Sequence, residues 1–293
     1  MLSVLIPTYN YNIYPLVKEL HQQCVKEGIS FEILAQDDCS NSDLNLENQK
    51  INQLSFSNFK ISEKNLGRGK NINQLAEKAK YEYLLIMEAD SFPAHKSYIK
   101  KIISAMKSSP EVVFGGALYP EKPTDKNKIL RWKYGNSREI KSLEYRLKNQ
   151  YDFTFSWNLI IRKSIFEKIK FVEEIQVYGY DDLLFRKKLQ ENNLNILHIN
   201  NPLIHINEED SNTFLKKCQK ASLDAKKMLE LKIIEPEDIK LTKLFSILKT
   251  CKVAKIYAFF FSLVKPLLEY NLLSKKPSLY LLDLYKLGFI CKY

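Results

Sequence analysis

Apolar runs of strand length alternate with amphipathic stretches in the N-terminal part of the chain. The runs are Ser3–Pro7, Phe31–Gln36, Phe59–Ser62 and Tyr83–Met87. Between the first two runs, and again before the fourth, apolar side chains recur with the spacing of a helix that buries one face. Strands that alternate with helices predict a doubly wound, mostly parallel α/β sheet flanked by helices.

Residue types that bind ligands cluster where these predicted strands end. Thr8-Tyr9-Asn10 follows the first strand, Asp37-Asp38 the second and Glu88-Ala89-Asp90 the fourth, and a basic loop adds Arg68 and Lys70. In open α/β sheets, ligands bind beyond the carboxyl ends of the strands. Carboxylates there suit a cation or a nucleobase, and basic side chains suit a phosphate. Each acidic pair alone is also explained as a solvated turn.

Two further features lie in the second half of the chain. Gly179-Tyr180-Asp181-Asp182 opens a predicted helix, and both acids occupy its first turn, where the helix dipole favours a carboxylate. A carboxylate placed there can accept a proton from an attacking hydroxyl; the alternative for one of the pair is an N-cap role. Predicted strands further on carry His198 and His205. A histidine on an apolar strand is usually a core residue.

The chain changes character after residue 210. Predicted helices follow, and the most apolar one, from Ala254 to Leu268, is interrupted by Lys265 and Pro266. This run is shorter than the ~20 residues that a membrane-spanning helix needs. Lysines beside apolar faces are typical of helices that lie on an anionic membrane, and equally of a packing or oligomerisation subdomain. We therefore predict one domain over residues 1–210 and a helical C-terminal extension over residues 211–293.

The net charge of +11 indicates an anionic partner, and nucleic acid, a phosphorylated substrate and an anionic membrane all qualify. The five cysteines are scattered and contain no CxxC pair, which argues against a disulfide framework or a zinc site. The N-terminus lacks the features of a signal peptide. We expect a cytoplasmic protein, with the membrane's inner face as a candidate location.

The order and spacing of the strand-end segments resemble a known family. Val4–Asn10, Asp37–Ser40, Asn65–Gly69 and Glu88–Asp90 are together similar to the nucleotide-binding half of a family 2 glycosyltransferase, an inverting enzyme of the GT-A fold. The resemblance continues to about residue 210. Phe155–Phe166 is similar to the family's acceptor-side segment, and Gly179–Leu183 to its "ED" motif.

This resemblance implies a role for each strand-end residue. Glu88-Ala89-Asp90 falls on the family's DxD motif, whose last acid binds the divalent cation that bridges the phosphates of the donor. The first acid departs from the pattern, because it is Glu88 instead of aspartate. The residues implied in binding the nucleotide sugar are Pro7, Thr8, Tyr9, Asn10, Asp38 (to the base), Arg68 (to the base or diphosphate), Glu88, Ala89 and Asp90.

The resemblance also implies the remaining site residues. Asp182, paired with Asp181, is the catalytic base that deprotonates the acceptor. Trp157 and Asn158 lie on the acceptor side, and His205 joins Asp90 as a metal ligand or contacts a phosphate. The expected cofactor is Mn²⁺ or Mg²⁺, and the expected reaction transfers a sugar, most simply from a UDP-sugar, to a glycan or lipid-linked acceptor in surface polysaccharide synthesis.

Two alternatives compete with this interpretation. A nucleotidyltransferase acting on sugar phosphates shares the broad architecture, but its glycine-rich phosphate loop is missing after the first strand, since Pro7–Asn10 contains no glycine. A nucleic-acid-binding protein would fit the charge and the 12% aromatic content. It needs basic residues clustered on one reading element, whereas the strand ends here carry acids, so no nucleic-acid partner is expected.

Overall fold

The computed structural model describes residues 1–152, 154–173, 179–206 and 209–293. The described residues form ten strands. In chain order they are β1 (Leu2–Thr8), β2 (Phe31–Asp37), β3 (Ser57–Ile61), β4 (Tyr83–Ile86), β5 (Ser91–Pro93), β6 (Val112–Phe114), β7 (Ala117–Leu118), β8 (Leu159–Arg162), β9 (Ile196–His198) and β10 (Leu203–His205).

Seven strands form the central sheet, in the order β3-β2-β1-β4-β8-β6-β9. All neighbouring pairs are parallel except those of β8, which runs antiparallel to β4 and β6. Every residue of β1 is buried, as expected for a strand covered on both faces. The chain moves from β1 to β2 and β3 on one side and returns to β4 on the other. This reversal creates the switch point at which ligands bind in open α/β sheets.

A small second sheet has the order β5-β10-β7. β5 starts directly after Asp90 and pairs antiparallel with β10, so that Ser91 lies opposite His205. The backbone N–H of Ile206 donates to the carbonyl of Asp90 at 2.7 Å. The pairing therefore brings His205 beside an acidic turn that lies more than a hundred residues earlier in the chain.

The helices are α1 (Tyr14–Lys26), α2 (Leu44–Asn48), α3 (Arg68–Lys78), α4 (Tyr98–Met106), α5 (Ile129–Tyr134), α6 (Leu143–Lys148), α7 (Lys163–Ile169), α8 (Asp181–Glu191), α9 (Ser211–Glu230), α10 (Lys240–Thr250), α11 (Ala254–Leu272) and α12 (Leu279–Lys292). Apolar side chains of α1 and α4 pack with the sheet in one core cluster, and those of α3, α7 and α8 pack with it in another. The predicted doubly wound sheet with flanking helices is confirmed.

The chain divides into two compact units. The first contains Met1–Pro120, residues 139–152, residues 154–173 and Asp181–Ile206. The second contains Glu121–Arg138, Gly179, Tyr180 and the described residues from Glu209 to Tyr293. These units assign part of the middle of the chain to the helical unit, so the boundary expected after residue 210 stays a prediction.

The helical unit has its own core. Phe214 and Leu215 of α9 pack with side chains of α11 and α12, among them Phe261 and Tyr285. Gly288 allows α12 to approach α11 closely, because a Cβ there would lie 2.1 Å from Cδ2 of Phe261. Among the described residues, no helix combines the length and the apolar character that crossing a bilayer requires.

Candidate active site

The carboxyl ends of β1 and β2 form one wall of the site. Pro7 and Thr8 are buried at the end of β1, whereas Tyr9 and Asn10 are exposed in the loop that follows. Asn10 adopts a positive φ of 51°, a conformation that asparagine tolerates better than most residues. Tyr11 also belongs to this wall: burial and the nearby Asp90 carboxylate raise its pKa.

Asp38 ties the end of β2 to the basic loop. Its carboxylate oxygens accept hydrogen bonds from the backbone N–H groups of Leu66 and Gly67, at 2.7 and 2.8 Å. The preceding acid, Asp37, accepts from the backbone and hydroxyl of Ser40 and so stabilises its own turn. Each oxygen of a carboxylate can accept a second hydrogen bond. The contact of Asp38 with a nucleobase therefore stays a prediction.

Glu88 turns toward Arg68, the first residue of α3. Nε and Nη2 of Arg68 both lie 2.7 Å from Oε1 of Glu88. Burial raises the pKa of Glu88 despite the opposing effect of Arg68. Burial also disfavours the charged guanidinium, but Glu88 and the nearby Asp182 and Asp181 outweigh it and raise the pKa of Arg68. The short distances and the acidic surroundings indicate an ion pair.

Asp90 and His205 lie side by side. Nε2 of His205 is 3.1 Å from Oδ1 of Asp90, and its Nδ1 is 2.9 Å from the hydroxyl of Tyr119. The ring of Trp157 stacks on the imidazole, with centroids 5.2 Å apart and planes inclined by 29°. The structure thus brings together the two residues that were predicted, far apart in sequence, to share a metal ion.

The donor set of Asp90 and His205 fits a divalent cation in its chemistry, because it offers a carboxylate oxygen and an imidazole nitrogen 3.1 Å apart. Glu88 is engaged with Arg68. Among the described residues, no group of three His, Cys, Asp or Glu side chains converges to hold a metal. A cation here would take its other ligands from phosphate oxygens and water, which is the usual arrangement for Mg²⁺ with nucleotides.

Asp182 is anchored through one oxygen. Oδ1 accepts from the backbone N–H of Ser156 at 2.8 Å and from the Ser156 hydroxyl. Nη1 of Arg68 donates to the same hydroxyl at 3.0 Å, which connects Asp182 to Glu88. Oδ2 of Asp182 makes no hydrogen bond to any residue that the structure describes. The neighbouring Asp181 has a raised pKa, because burial and Asp182 outweigh the effect of Arg68.

Asn158 has a structural role beside the site. It is fully buried. Its Oδ1 accepts from the Tyr98 hydroxyl at 2.6 Å, and its Nδ2 donates to the carbonyls of Gly116 and Asn201. These contacts give Asn158 a structural role, whereas its neighbour Trp157 contacts His205 directly.

Sequence reasoning missed Ser156, Tyr119 and Glu139. Ser156 lies inside the segment that resembles the family's acceptor side, but nothing in the sequence marks its hydroxyl as functional. Tyr119 and Glu139 lie in a lysine-rich stretch with no regular period. Nothing in the local sequence distinguishes these residues, because their partners come from distant parts of the chain.

The chain belongs to glycosyl transferase family 2. The family's model matches residues 3–170, more than half of the sequence. The resemblance of the strand-end segments to this family is therefore confirmed, and the chain is a glycosyltransferase. Comparison with curated protein sequences finds no match.

One solved structure supports the fold over nearly the whole chain. S. aureus TarS 1–349 in complex with UDP-GlcNAc matches with a TM-score of 0.52 and 18% identity, over 97% of this chain and 89% of that one. S. aureus TarS 1–349 matches at 0.48 and 20% identity over 76% of this chain, and S. aureus TarS at 0.49 and 21% over the same share. This chain spans 64% and 39% of those two proteins. The predicted GT-A fold is confirmed.

Proposed function

We propose that this glycosyltransferase is an inverting, metal-dependent enzyme that transfers a sugar from a UDP-sugar to a hydroxyl of a glycan or lipid-linked acceptor in surface polysaccharide synthesis. The observation that carries the proposal is the continuous contact chain from Glu88 through Arg68 and Ser156 to Asp182. It connects the acidic turn after β4 to a carboxylate suited to act as a base. The UDP-GlcNAc complex of S. aureus TarS, which shares the fold, supports a UDP-sugar as donor.

The proposed division of labour follows from these contacts. Asp182 accepts the acceptor's proton through Oδ2, since Oδ1 is held by Ser156. Arg68 donates to Ser156, the residue that fixes Asp182, and presents positive charge to the donor phosphates. Asp90 and His205 would hold the divalent cation. A cation bound there supplies Lewis-acid stabilisation of the diphosphate leaving group.

The remaining predicted residues form the nucleotide pocket in this proposal. Pro7, Thr8, Tyr9 and Asn10 line it from β1, and Asp38 contacts the base while holding the basic loop. Ala89 lies beside the donor in this proposal, and its methyl group makes no specific contact with it. Trp157 supports His205 and borders the acceptor region.

A donor screen tests the proposal. The full chain is incubated with UDP-, GDP-, CDP- and dTDP-sugars in Mn²⁺ or Mg²⁺, and release of the nucleoside diphosphate is measured. We expect turnover with a UDP-sugar, loss of turnover in EDTA, and weaker UDP binding by calorimetry in Asp90→Ala. Turnover that survives complete chelation would contradict the metal site, and preference for another nucleotide would contradict the donor.

The acceptor proposal draws on an apolar stripe along α11. Ile256, Phe259, Phe260, Leu263, Leu267 and Tyr270 recur at helical spacing, and each is more than half exposed. The acid of this helix, Glu269, is paired with Lys265 at 2.8 Å. Exposed lysines lie before the stripe and after it, at Lys249, Lys252, Lys255, Lys275 and Lys276.

This stripe fits an anionic bilayer. An apolar face bordered by lysines is the pattern of a helix that lies in the membrane interface. A second copy fits less well, because lysines at both ends of the stripe would meet lysines in either orientation. We therefore place the enzyme at the cytoplasmic face of an anionic membrane, where the free thiols of all five cysteines suit a reducing compartment.

Liposome flotation of the full chain tests this surface. We expect flotation with vesicles containing anionic phosphatidylglycerol, little with purely zwitterionic vesicles, and a loss in the double variant Phe259→Gln and Leu263→Gln. The matched control is Leu46→Gln with Phe56→Gln, which removes equally exposed apolar residues from the other unit. Absence of flotation together with a dimer in light scattering would overturn the membrane assignment in favour of a second copy.

A further inference from the structure

A series of hydrogen-bonded polar side chains extends from Asp90 through His205 to Tyr119 and Glu139, which the proposed reaction does not use. Nδ1 of His205 lies 2.9 Å from the Tyr119 hydroxyl, and that hydroxyl also hydrogen-bonds to the Glu139 carboxylate. The Tyr119 ring meets the imidazole edge-on, with centroids 5.2 Å apart and planes at 90°. Since Trp157 stacks on the same imidazole, the ring of His205 is held by aromatic contacts as well as by hydrogen bonds.

The chemistry of these groups determines which atom donates in each hydrogen bond of the series. A carboxylate can only accept hydrogen bonds, so the single proton of the Tyr119 hydroxyl goes to Glu139. The tyrosine oxygen then faces Nδ1 of His205 with a lone pair, and Nδ1 must carry the proton that joins them. In the neutral imidazole, the other nitrogen has a lone pair. That nitrogen, Nε2, is the one that faces Asp90. Asp90 is also a carboxylate and can only accept, so without a cation Nε2–H can donate to it. A divalent cation held by both residues would take the place of that proton, and only the Nδ1–H tautomer leaves the Nε2 lone pair available to bind it.

We propose that Glu139 and Tyr119 are positioning residues that hold His205 in its Nδ1–H tautomer, so that Nε2 is the nitrogen presented to a divalent cation beside Asp90. Histidines that bind metals commonly donate their second N–H to such a partner, which fixes ring orientation and raises the basicity of the ligand. This inference rests on the proposed metal site, but it concerns residues that do not contact the metal.

His198 provides an internal comparison, because its contacts have the opposite polarity. Nη1 of Arg146 lies 3.2 Å from Nδ1 of His198, and a guanidinium can only donate. Nδ1 of His198 therefore accepts, and its Nε2–H donates to the carbonyl of Gln150 at 2.8 Å. Burial lowers the pKa of His198, which favours the neutral ring. The contact of His205 with Tyr119 and that of His198 with Arg146 thus favour opposite tautomers.

Nitrogen NMR on the full chain, labelled with ¹⁵N-histidine, tests the tautomers. With Mg²⁺ and UDP present and the histidines neutral at alkaline pH, we expect His205 as the Nδ1–H form and His198 as the Nε2–H form, with assignment by His205→Ala and His198→Gln. Tyr119→Phe should shift His205 toward the Nε2–H form and leave His198 unchanged. An Nε2–H form of His205 in the wild-type protein with Mg²⁺ and UDP present would overturn the inference without bearing on catalysis.

Mn²⁺ affinity provides the second readout, measured by electron paramagnetic resonance in the presence of UDP. We expect Tyr119→Phe to weaken Mn²⁺ binding by about 10- to 100-fold and Glu139→Gln to act in the same direction. The matched control is Tyr83→Phe, which removes a hydroxyl that donates to the Pro110 carbonyl and should leave the affinity unchanged. Thermal unfolding establishes that each variant folds.

The two possible failures are distinguishable. If Asp90→Ala and His205→Ala leave Mn²⁺ affinity unchanged, the proposed metal site itself is wrong. If those two variants lose binding but Tyr119→Phe does not, the metal site stands and the positioning role of Tyr119 and Glu139 is overturned.

Discussion

Glu88 receives two contacts of 2.7 Å from Arg68, through Nε and Nη2, at its single oxygen Oε1. This is the position at which the chain departs from the DxD pattern. Arg68 also donates to Ser156, which in turn holds Asp182. The longer acid therefore takes part in a network that reaches the proposed base, while Asp90 remains beside His205. The departure from DxD has a structural explanation in this ion pair.

Shortening this acid should impair transfer more than donor binding. In Glu88→Asp the carboxylate is one methylene further from Arg68, and a buried contact between charged groups contributes about 1.5–3 kcal/mol. Arg68 then loses a partner and its hold on Ser156 weakens. We expect kcat to fall about tenfold, with a UDP affinity close to that of the wild type, as measured by steady-state kinetics and calorimetry.

Glu88→Gln is the control for length, because it keeps the reach of the side chain and loses its charge. It should retain more activity than Glu88→Asp if reach is what matters. Wild-type kcat in Glu88→Asp would show that the ion pair with Arg68 has no part in catalysis.

Removing the proposed base should abolish transfer and spare binding. Asp182→Asn keeps the shape of the side chain but cannot accept the acceptor's proton, so kcat should fall by a factor of about 100 or more while UDP binding is unchanged. Unimpaired turnover would refute the assignment. Ser156→Ala, which deletes one of the two donors to Oδ1 and keeps the other, should give a smaller loss in kcat than Asp182→Asn.

The raised pKa of Glu88 predicts how stability depends on pH. Because burial raises this pKa in the folded state, the folded protein binds the proton more tightly than the unfolded chain. The contribution of Glu88 therefore favours folding below its ordinary pKa and is lost as pH rises through the raised value. Glu88→Gln resembles the protonated side chain at every pH and removes this dependence.

Urea unfolding of both proteins between about pH 4 and pH 8 measures the effect, since this range begins near the ordinary glutamate pKa. We expect the wild type to lose unfolding free energy relative to Glu88→Gln as pH rises. A difference that is constant, or that grows in favour of the wild type, would show that Arg68 outweighs burial and lowers the pKa of Glu88.

The main sheet follows from the sequence because continuous apolar runs such as Ser3–Pro7 and Tyr83–Met87 have few other ways to be buried. The meeting of Asp90 and His205 was predicted by resemblance alone, since the pairing of β5 with β10 joins two strands of three residues each. Such short strands leave almost no periodic signal. Tyr119 and Glu139 were missed for a related reason: their roles depend on tertiary contacts that neither residue's neighbours encode.

Asn158 gives the clearest separation between a structural and an acceptor-binding role. Asn158→Ala leaves the Tyr98 hydroxyl and the carbonyls of Gly116 and Asn201 without their partner, and it places alanine at a φ of 51°. Each unsatisfied buried group costs about 1–3 kcal/mol. We therefore expect the free energy of unfolding to fall by about 3 kcal/mol.

The control is Asn192→Ala, which removes an exposed amide that donates to the Lys188 carbonyl and should change stability by less than about 0.5 kcal/mol. Denaturant unfolding and acceptor KM are measured for both variants at a temperature where Asn158→Ala remains folded. A raised acceptor KM with unchanged stability would instead place Asn158 on the acceptor surface. Replacing a residue with a purely structural role must lower the free energy of unfolding.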